Sequence, residues 1–183
     1  MTAAGPSSPL SASEFRHAVG RFATGVTVIT AEAEGGVRGM TANAFMSGSL
    51  SPPLCIISVA KKAKLHGVMT AGLVFGVSLR AQGQEAISRH FAGQAPADPE
   101  VLFEHMHGVP VLANVCAALA ATIEARHDCG DHTIFVGRVI GLRDDERPPL
   151  VFHGGKYATL HYKTTEAPEA AIDFWELDHD ANW

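Results

Sequence analysis

The sequence predicts a mainly β chain with flanking helices, closed as an antiparallel barrel and not as a parallel α/β sheet. Three observations carry that expectation. Runs of β-branched and apolar residues dominate: VTVIT at Val26–Thr30, LCIISV at Leu54–Val59, LVFGVSL at Leu73–Leu79 and HTIFVGRVIGL at His132–Leu142. Short turn signals such as Gly35-Gly36 join strands as hairpins, which suit antiparallel neighbours. No GxGxxG follows a strand and no GxxxxGK[ST] is present, so the nucleotide scaffolds of parallel sheets are missing.

The elements follow in order. MTAAGPSSPL, residues 1–10, is rich in Pro, Ser and Ala and reads as a loose tail. It has no cationic stretch followed by an apolar one, so no signal peptide is expected. Ser11 and Glu14 match a capping box, and Phe15, Val19 and Phe22 follow at helical spacing, which predicts a helix over Ala12–Ala23. Gly25 ends it, and the Val26–Thr30 strand turns at Gly35-Gly36 into a returning strand through Met40–Phe45. Pro52-Pro53 interrupts the chain before LCIISV, whose continuous apolar run predicts burial on both faces.

Lys61–Thr70 reads as a short helix and Gln84–Phe91 as another, flanking the LVFGVSL strand. Gly93–Pro110 reads as loop, with at most a helical turn near Val101–His105. Ala113–Arg126 is ambiguous. Its alanines favour a helix, yet it runs into HDCGDH and a clear strand, which fits a long hairpin turning at Cys129-Gly130. RPPLVFHGGKY starts a further strand, and a charged extension occupies residues 164–183, leaving one domain over 11–163.

Composition narrows the function. With 183 residues, 46% of them hydrophobic, the chain can bury one well-formed core. A net charge of -5 without a basic stripe argues against nucleic acid, and no apolar run is long enough to span a membrane. Cys55, Cys116 and Cys129 are odd in number and widely spaced, as expected of reduced thiols in a cytoplasmic protein.

The stretch Gly39–Leu54, GMTANAFMSGSLSPPL, carries the chemistry. Strand periodicity puts Met40, Ala42, Ala44 and Met46 on a core face and Gly39, Thr41, Asn43 and Phe45 on the other. The second face offers an amide, a hydroxyl, an aromatic edge and a glycine that admits close approach, a surface suited to a flat, polar-edged heterocycle such as a flavin. HDCGDH is the other cluster. A turn at Cys129-Gly130 pairs Asp128 with Asp131 and His127 with His132, so a two-His metal site is possible, as is plain hairpin polarity.

FRHAVGRFATGVTVIT, GMTANAFMSGSLSPPL, QEAISRHFAG, GDHTIFVGRV and PPLVFHGGKY, in that order over Phe15–Tyr157, resemble the short-chain flavin reductases, the reductase components of two-component monooxygenases. The resemblance implies an antiparallel split barrel that binds FMN, and makes Ala113–Arg126 a strand. It places Thr41, Ala42, Asn43 and Ala44 along the isoalloxazine, Ser49 facing the pyrimidine ring, and Ser58, Lys61 and Lys64 at the phosphate. His132 and Tyr157 would flank the nicotinamide. Many members have a hydroxyl residue where this chain has Ala63.

The implied activity is NAD(P)H-dependent reduction of FMN or FAD, with NADH or NADPH as co-substrate and free reduced flavin passing to a separate oxygenase. No catalytic acid, base or nucleophile is required, since hydride transfer depends on stacking and orientation. No resident metal is expected, and a homodimer is. A non-catalytic FMN-binding protein and a small metalloenzyme built on HDCGDH are the alternatives.

Overall fold

The Ser11 capping box forms as the sequence dictates: the Ser11 amide donates to a Glu14 carboxylate oxygen at 2.9 Å, and the Glu14 amide donates to Ser11 Oγ at 3.2 Å. The helix it starts, α1 (Ala12–Val19), stops at Gly20, four residues before the expected end. The chain is a computed structural model that describes residues 10–70, 72–94 and 99–161. The N-terminal tail but for Leu10, and the extension at 164–183, lie outside the described residues.

After α1 come β1 (Thr24–Gly25), β2 (Thr27–Ala33), β3 (Gly36–Ala42), β4 (Phe45–Leu50), β5 (Pro53–Ala60), β6 (Val74–Leu79) and α2 (Glu85–Phe91). Then follow β7 (Phe103–Met106), β8 (Val109–Leu112), β9 (Ala117–Cys129), β10 (His132–Asp144), β11 (Val151–His153) and β12 (Lys156–Ala158). Lys61–Thr70 holds only a single helical turn, His66–Val68, among loop.

Seven strands pair antiparallel in the order β3-β2-β6-β9-β10-β5-β4. Its two edges, β3 and β4, are separated in sequence only by Asn43 and Ala44. Three Cα–Cα steps reach at most about 11 Å. The sheet must therefore roll until its edges nearly meet, giving a mostly β split barrel with its seam at Asn43–Ala44. The barrel interior is filled by Ile29, Ile57, Val59, Phe75, Val77, Ala121 and Phe135.

A second cluster, Val28, Val111, Leu112, Val115 and Ala118, covers the outer side of β2, β6 and β9. It forms because β7 and β8 make a hairpin where the sequence reads as loop. His107 and Gly108, both at positive φ, form its turn. The hairpin sits close over Gly76: a Cβ there would lie 2.6 Å from both the Pro110 carbonyl oxygen and Thr30 Oγ1.

Three further expectations need correction. The β3 strand does not continue to Phe45; it breaks at Asn43, and the burial phase changes with it. Ala42 is buried, while Ala44 and Met46 are exposed and not in the core. β5 alternates, with Cys55, Ile57 and Val59 buried and their neighbours half-buried, so only one of its faces is fully enclosed. The β9–β10 hairpin turns at Gly130-Asp131, one residue later than expected, pairing Cys129 with His132, Asp128 with Thr133 and His127 with Ile134. A slip of one residue sends each side chain to the opposite face, so the two imidazoles do not oppose each other.

Burial decides thiol chemistry here. Cys55 is buried at 2% exposure and its thiol is pushed up to about 11, so it stays protonated at neutral pH. Burial also raises Cys116, whereas Cys129 is exposed. A disulfide reagent at near-neutral pH is therefore expected to modify Cys129 in the native protein and Cys55 only on unfolding. Rapid native labelling of Cys55, read by peptide mass, would contradict this.

Candidate functional site

Gly39 and Thr41 are half-buried rather than open to solvent. Helix α2 lies across them: a Cβ on Gly39 would come within 2.6 Å of the Phe91 ring, and Thr41 Oγ1 donates to the Ser88 carbonyl at 2.6 Å. The close approach that the glycine permits is thus that of the chain's own helix. Ala42 is buried, and its carbonyl accepts from Thr27 Oγ1 at 2.7 Å. One residue on, the strand runs out from under α2 and Asn43 is exposed.

Asn43 stands where three cavities meet. One of about 590 Å³ runs along α1 past Arg16, Gly20, Arg21 and Phe152. A second, of about 230 Å³, is lined by Thr41, Ala42, Arg89, Phe152 and Tyr157. The third, of about 340 Å³, lies beyond Phe45. Among the described residues the Asn43 side chain makes no hydrogen bond. An exposed carboxamide that does nothing for the fold is free to meet a ligand.

Tyr157 is fixed from three sides. Its hydroxyl pairs with Ser88 Oγ at 2.9 Å, the Arg89 guanidinium sits 4.9 Å from the ring centroid, and Phe152 meets the ring edge-on at 5.5 Å. The β11–β12 hairpin that carries it is tethered to the end of α1 by the Gly154 amide donating to the Gly20 carbonyl at 2.8 Å. Thr41, Ala42, Asn43 and Tyr157 therefore converge on one place. Ser88, Arg89 and Phe152 join them. Spacing alone does not single out these three, although Ser88 and Arg89 lie in QEAISRHFAG and Phe152 in PPLVFHGGKY.

The other expected residues scatter. Ala44 is tied to Ser58, whose amide donates to the Ala44 carbonyl at 3.1 Å. Ser49 is half-buried further along β4. Lys61 Nζ is 3.4 Å from an Asp128 carboxylate oxygen, so its charge has a partner within the chain. Lys64 lines a groove of about 440 Å³ with Arg38, Gly39 and Ala92, and Ala92 also lines the cavity at Tyr157. Asn43, Thr41, Ala92 and Lys64 thus lie along one continuous surface.

His132 lies elsewhere, at the tip of the β9–β10 hairpin, with Nδ1 2.7 Å from an Asp131 carboxylate oxygen. That bond, with the charge of the imidazolium, holds the Asp131 carboxyl below its ordinary range. His132 is not among the residues that line the cavity at Tyr157. Among the described residues no three His, Cys, Asp or Glu side chains are grouped to hold a metal. The register reported above removes the pairing on which the metalloenzyme alternative depended.

A flavin has a broad apolar ring with a polar edge and an anionic arm. Phe152 and Tyr157 provide aromatic wall, Asn43 an unpaired polar group, and Lys64 with Arg38 a cationic groove that continues the surface. These residues fit such a ligand in kind and in order along the surface.

The chain is also similar to known flavin-reducing proteins. A family model described as flavin reductase like domain matches residues 19–161. An NADH-dependent flavin reductase of a Rhodococcus species is 44% identical over 156 residues, covering 84% of this chain and 89% of its own. The reductase component of 4-hydroxyphenylacetate 3-monooxygenase of Thermus thermophilus is 42% identical over 147 residues, covering 80% of this chain and 95% of its own. Among solved structures, the flavin reductase PheA2 in its native state superposes with a TM-score of 0.79 at 42% identity, over 84% of this chain and all of that one.

Proposed function

Because the chain belongs to the flavin reductase like domain family, we propose that it is an NADH-dependent flavin oxidoreductase whose flavin lies on the seam of the barrel, against Asn43. The observation that carries this reading is the convergence of an unbonded, exposed Asn43 with a fixed aromatic, Tyr157, beside the seam between β3 and β4. When bound, the flavin accepts a hydride from the nicotinamide.

The chain's own groups then bind and orient. The Asn43 carboxamide meets the polar edge of the ring, and the neighbouring Thr41, Ala42 and Ala44 form the floor. Tyr157, held by Ser88 and Arg89, supplies a rigid face for the nicotinamide, which cuts the ordering cost of a productive stack. Lys64 and Arg38 take the phosphate; Ser58 and Lys61 do not line their groove, and Ser49 is left for the pyrimidine ring. No group here needs to move a proton. The reduced product would leave for a separate oxygenase, as befits the relative that is named a monooxygenase reductase component.

A homodimer belongs to the same reading. No residue of α1 is buried, and Phe15, Val19 and Phe22 are left exposed, as are Met46 and Leu50 on β4. Apolar surface of that extent calls for a cover, and a second copy would also be the means of bringing a His132 to a site that its own chain does not reach. The domain spans 11–163 in this proposal. The three free cysteines support a reducing, cytoplasmic setting, and no helix among the described residues is long and apolar enough to cross a membrane.

Steady-state turnover tests the proposal. NADH oxidation by the purified protein is expected to depend on added FMN or FAD, with saturation in both substrates, and NADPH run alongside sets the nicotinamide preference. Saturable flavin binding without NADH oxidation would leave a binding protein and remove the enzyme.

A further inference from the structure

The cavity beyond Phe45 has a property the flavin reading does not use. Arg80, at 1% exposure, is the largest fully buried side chain of the described residues, and its Nε, Nη1 and Nη2 have no hydrogen-bond partner there. The Thr24 hydroxyl is likewise buried and unpartnered. Both residues line the same cavity of about 340 Å³. Two unsatisfied donors around one space form an unusual pair, because a buried polar group without a partner is costly and a buried charge more so.

Among the described residues the cation is uncompensated: no carboxylate of theirs lines the cavity, and Cys116, the thiol there, donates to the Leu79 carbonyl at 3.1 Å and stays protonated because burial raises it. Burial lowers the Arg80 guanidinium only to about 10, so it keeps its charge at neutral pH. Most of the remaining wall is apolar, formed by Phe22, Val26, Phe45, Leu79, Pro149 and Leu150, with Thr27, whose hydroxyl is bonded to the Ala42 carbonyl, and Asn43 at its border. A single positive charge calls for a monoanion, and a planar guanidinium beside a hydroxyl matches the two oxygens of a carboxylate. The apolar wall calls for an apolar body behind that carboxylate, and the volume is of the size that holds a small molecule.

We propose that this cavity binds a small organic monoanion, a carboxylate with an aromatic or aliphatic body, through Arg80 and Thr24. Among the described residues the site meets the flavin surface at Asn43, which lines both. Arg80 holds the charge, Thr24 orients the second oxygen, and Phe22 and Phe45 enclose the body. The assignment does not depend on the flavin reading, since it can be measured on flavin-free protein.

The probes are benzoate and its neutral counterpart benzyl alcohol, titrated into the full chain by calorimetry and by thermal shift. Benzoate is expected to bind saturably and raise Tm, and benzyl alcohol to do neither. Arg80→Met, which keeps an unbranched flexible side chain without the charge, is expected to weaken benzoate at least tenfold, to raise the Tm of the ligand-free protein, and to leave FMN affinity unchanged. Equal binding of the two probes would show an apolar cavity only. Absence of benzoate binding would show that water alone satisfies the guanidinium. A parallel loss of FMN in Arg80→Met would assign the cavity to the flavin. Each of these overturns the proposal. Should Arg80→Met fail to fold, Thr24→Val in the same titration is expected to weaken benzoate several-fold, and an unchanged affinity would overturn the proposal equally.

Discussion

Replacing Asn43 by leucine is expected to weaken FMN binding by about ten- to a hundredfold while leaving the Tm within about 1–2 °C of the parent. The side chain is exposed and makes no hydrogen bond among the described residues, so the fold loses nothing with it. The proposed complex loses the carboxamide's hydrogen bonds to the ring edge and gains a branched side chain where the ring should lie. Fluorescence titration of FMN measures the affinity, and NADH oxidation at saturating flavin separates binding from turnover. An Asn43→Leu protein with parental FMN affinity would move the flavin away from the seam. Asn43→Asp makes the argument sharper, because a carboxylate can accept but not donate and would repel an anionic ring edge.

Gly76→Val is expected to destabilise the protein by about 3 kcal/mol or more, with a fall in Tm of roughly 10 °C or beyond. Gly76 lies on β6 where the β7–β8 hairpin crosses. A Cβ there would lie 2.6 Å from the Pro110 carbonyl oxygen, 2.6 Å from Thr30 Oγ1 and 3.0 Å from a Val111 methyl. Two of those atoms, Thr30 Oγ1 and the Pro110 carbonyl, form a buried hydrogen bond with each other. The substitution therefore does two kinds of damage, overpacking against backbone and the breaking of a satisfied buried pair. Denaturant unfolding is the direct measurement. A shift below about 1 kcal/mol would mean that the hairpin can lift away from the sheet at little cost.

Much of this architecture was legible because it rests on local signals. Ser11 and Glu14 announce their helix by reciprocal bonding, and Gly35 and Gly36 both take the positive φ that their turn requires. Val26–Thr30 could hardly be anything but a strand. Tertiary contact can override local preference, and in the alanine-rich segment the family resemblance, not propensity, correctly gives the strand. Ala118, Ala120 and Ala121 favour a helix by propensity, yet they are fully buried in β9, which pairs with β6 and β10, and Gly137 and Ala121 together make room for the Phe75 ring.

The β7–β8 hairpin is hard to read from sequence because its turn, His107-Gly108, is not one of the Asn-Gly or Asp-Gly pairs that mark hairpins. Helix α1 was drawn too long because Phe22 keeps helical spacing after Gly20 has already ended it. At the candidate site, Thr41, Asn43 and Tyr157 could be named from motifs. Ser88, Arg89 and Phe152 matter only through what they touch, and Arg80 only through what it fails to touch. Neither property is written in spacing.

The order of the seven strands has a kinetic consequence. β2 must find β6, β5 must wait for β10, and the seam closes only when the outermost strands have been brought round by all five between them. Pairings so distant along the chain make for slow, late closure in folding. The face around Asn43 also draws on Tyr157 from the far end of the described chain, so it is assembled last. A half-finished molecule would have no bed on which to hold a dye, and capture of the yellow ligand would report that folding is complete.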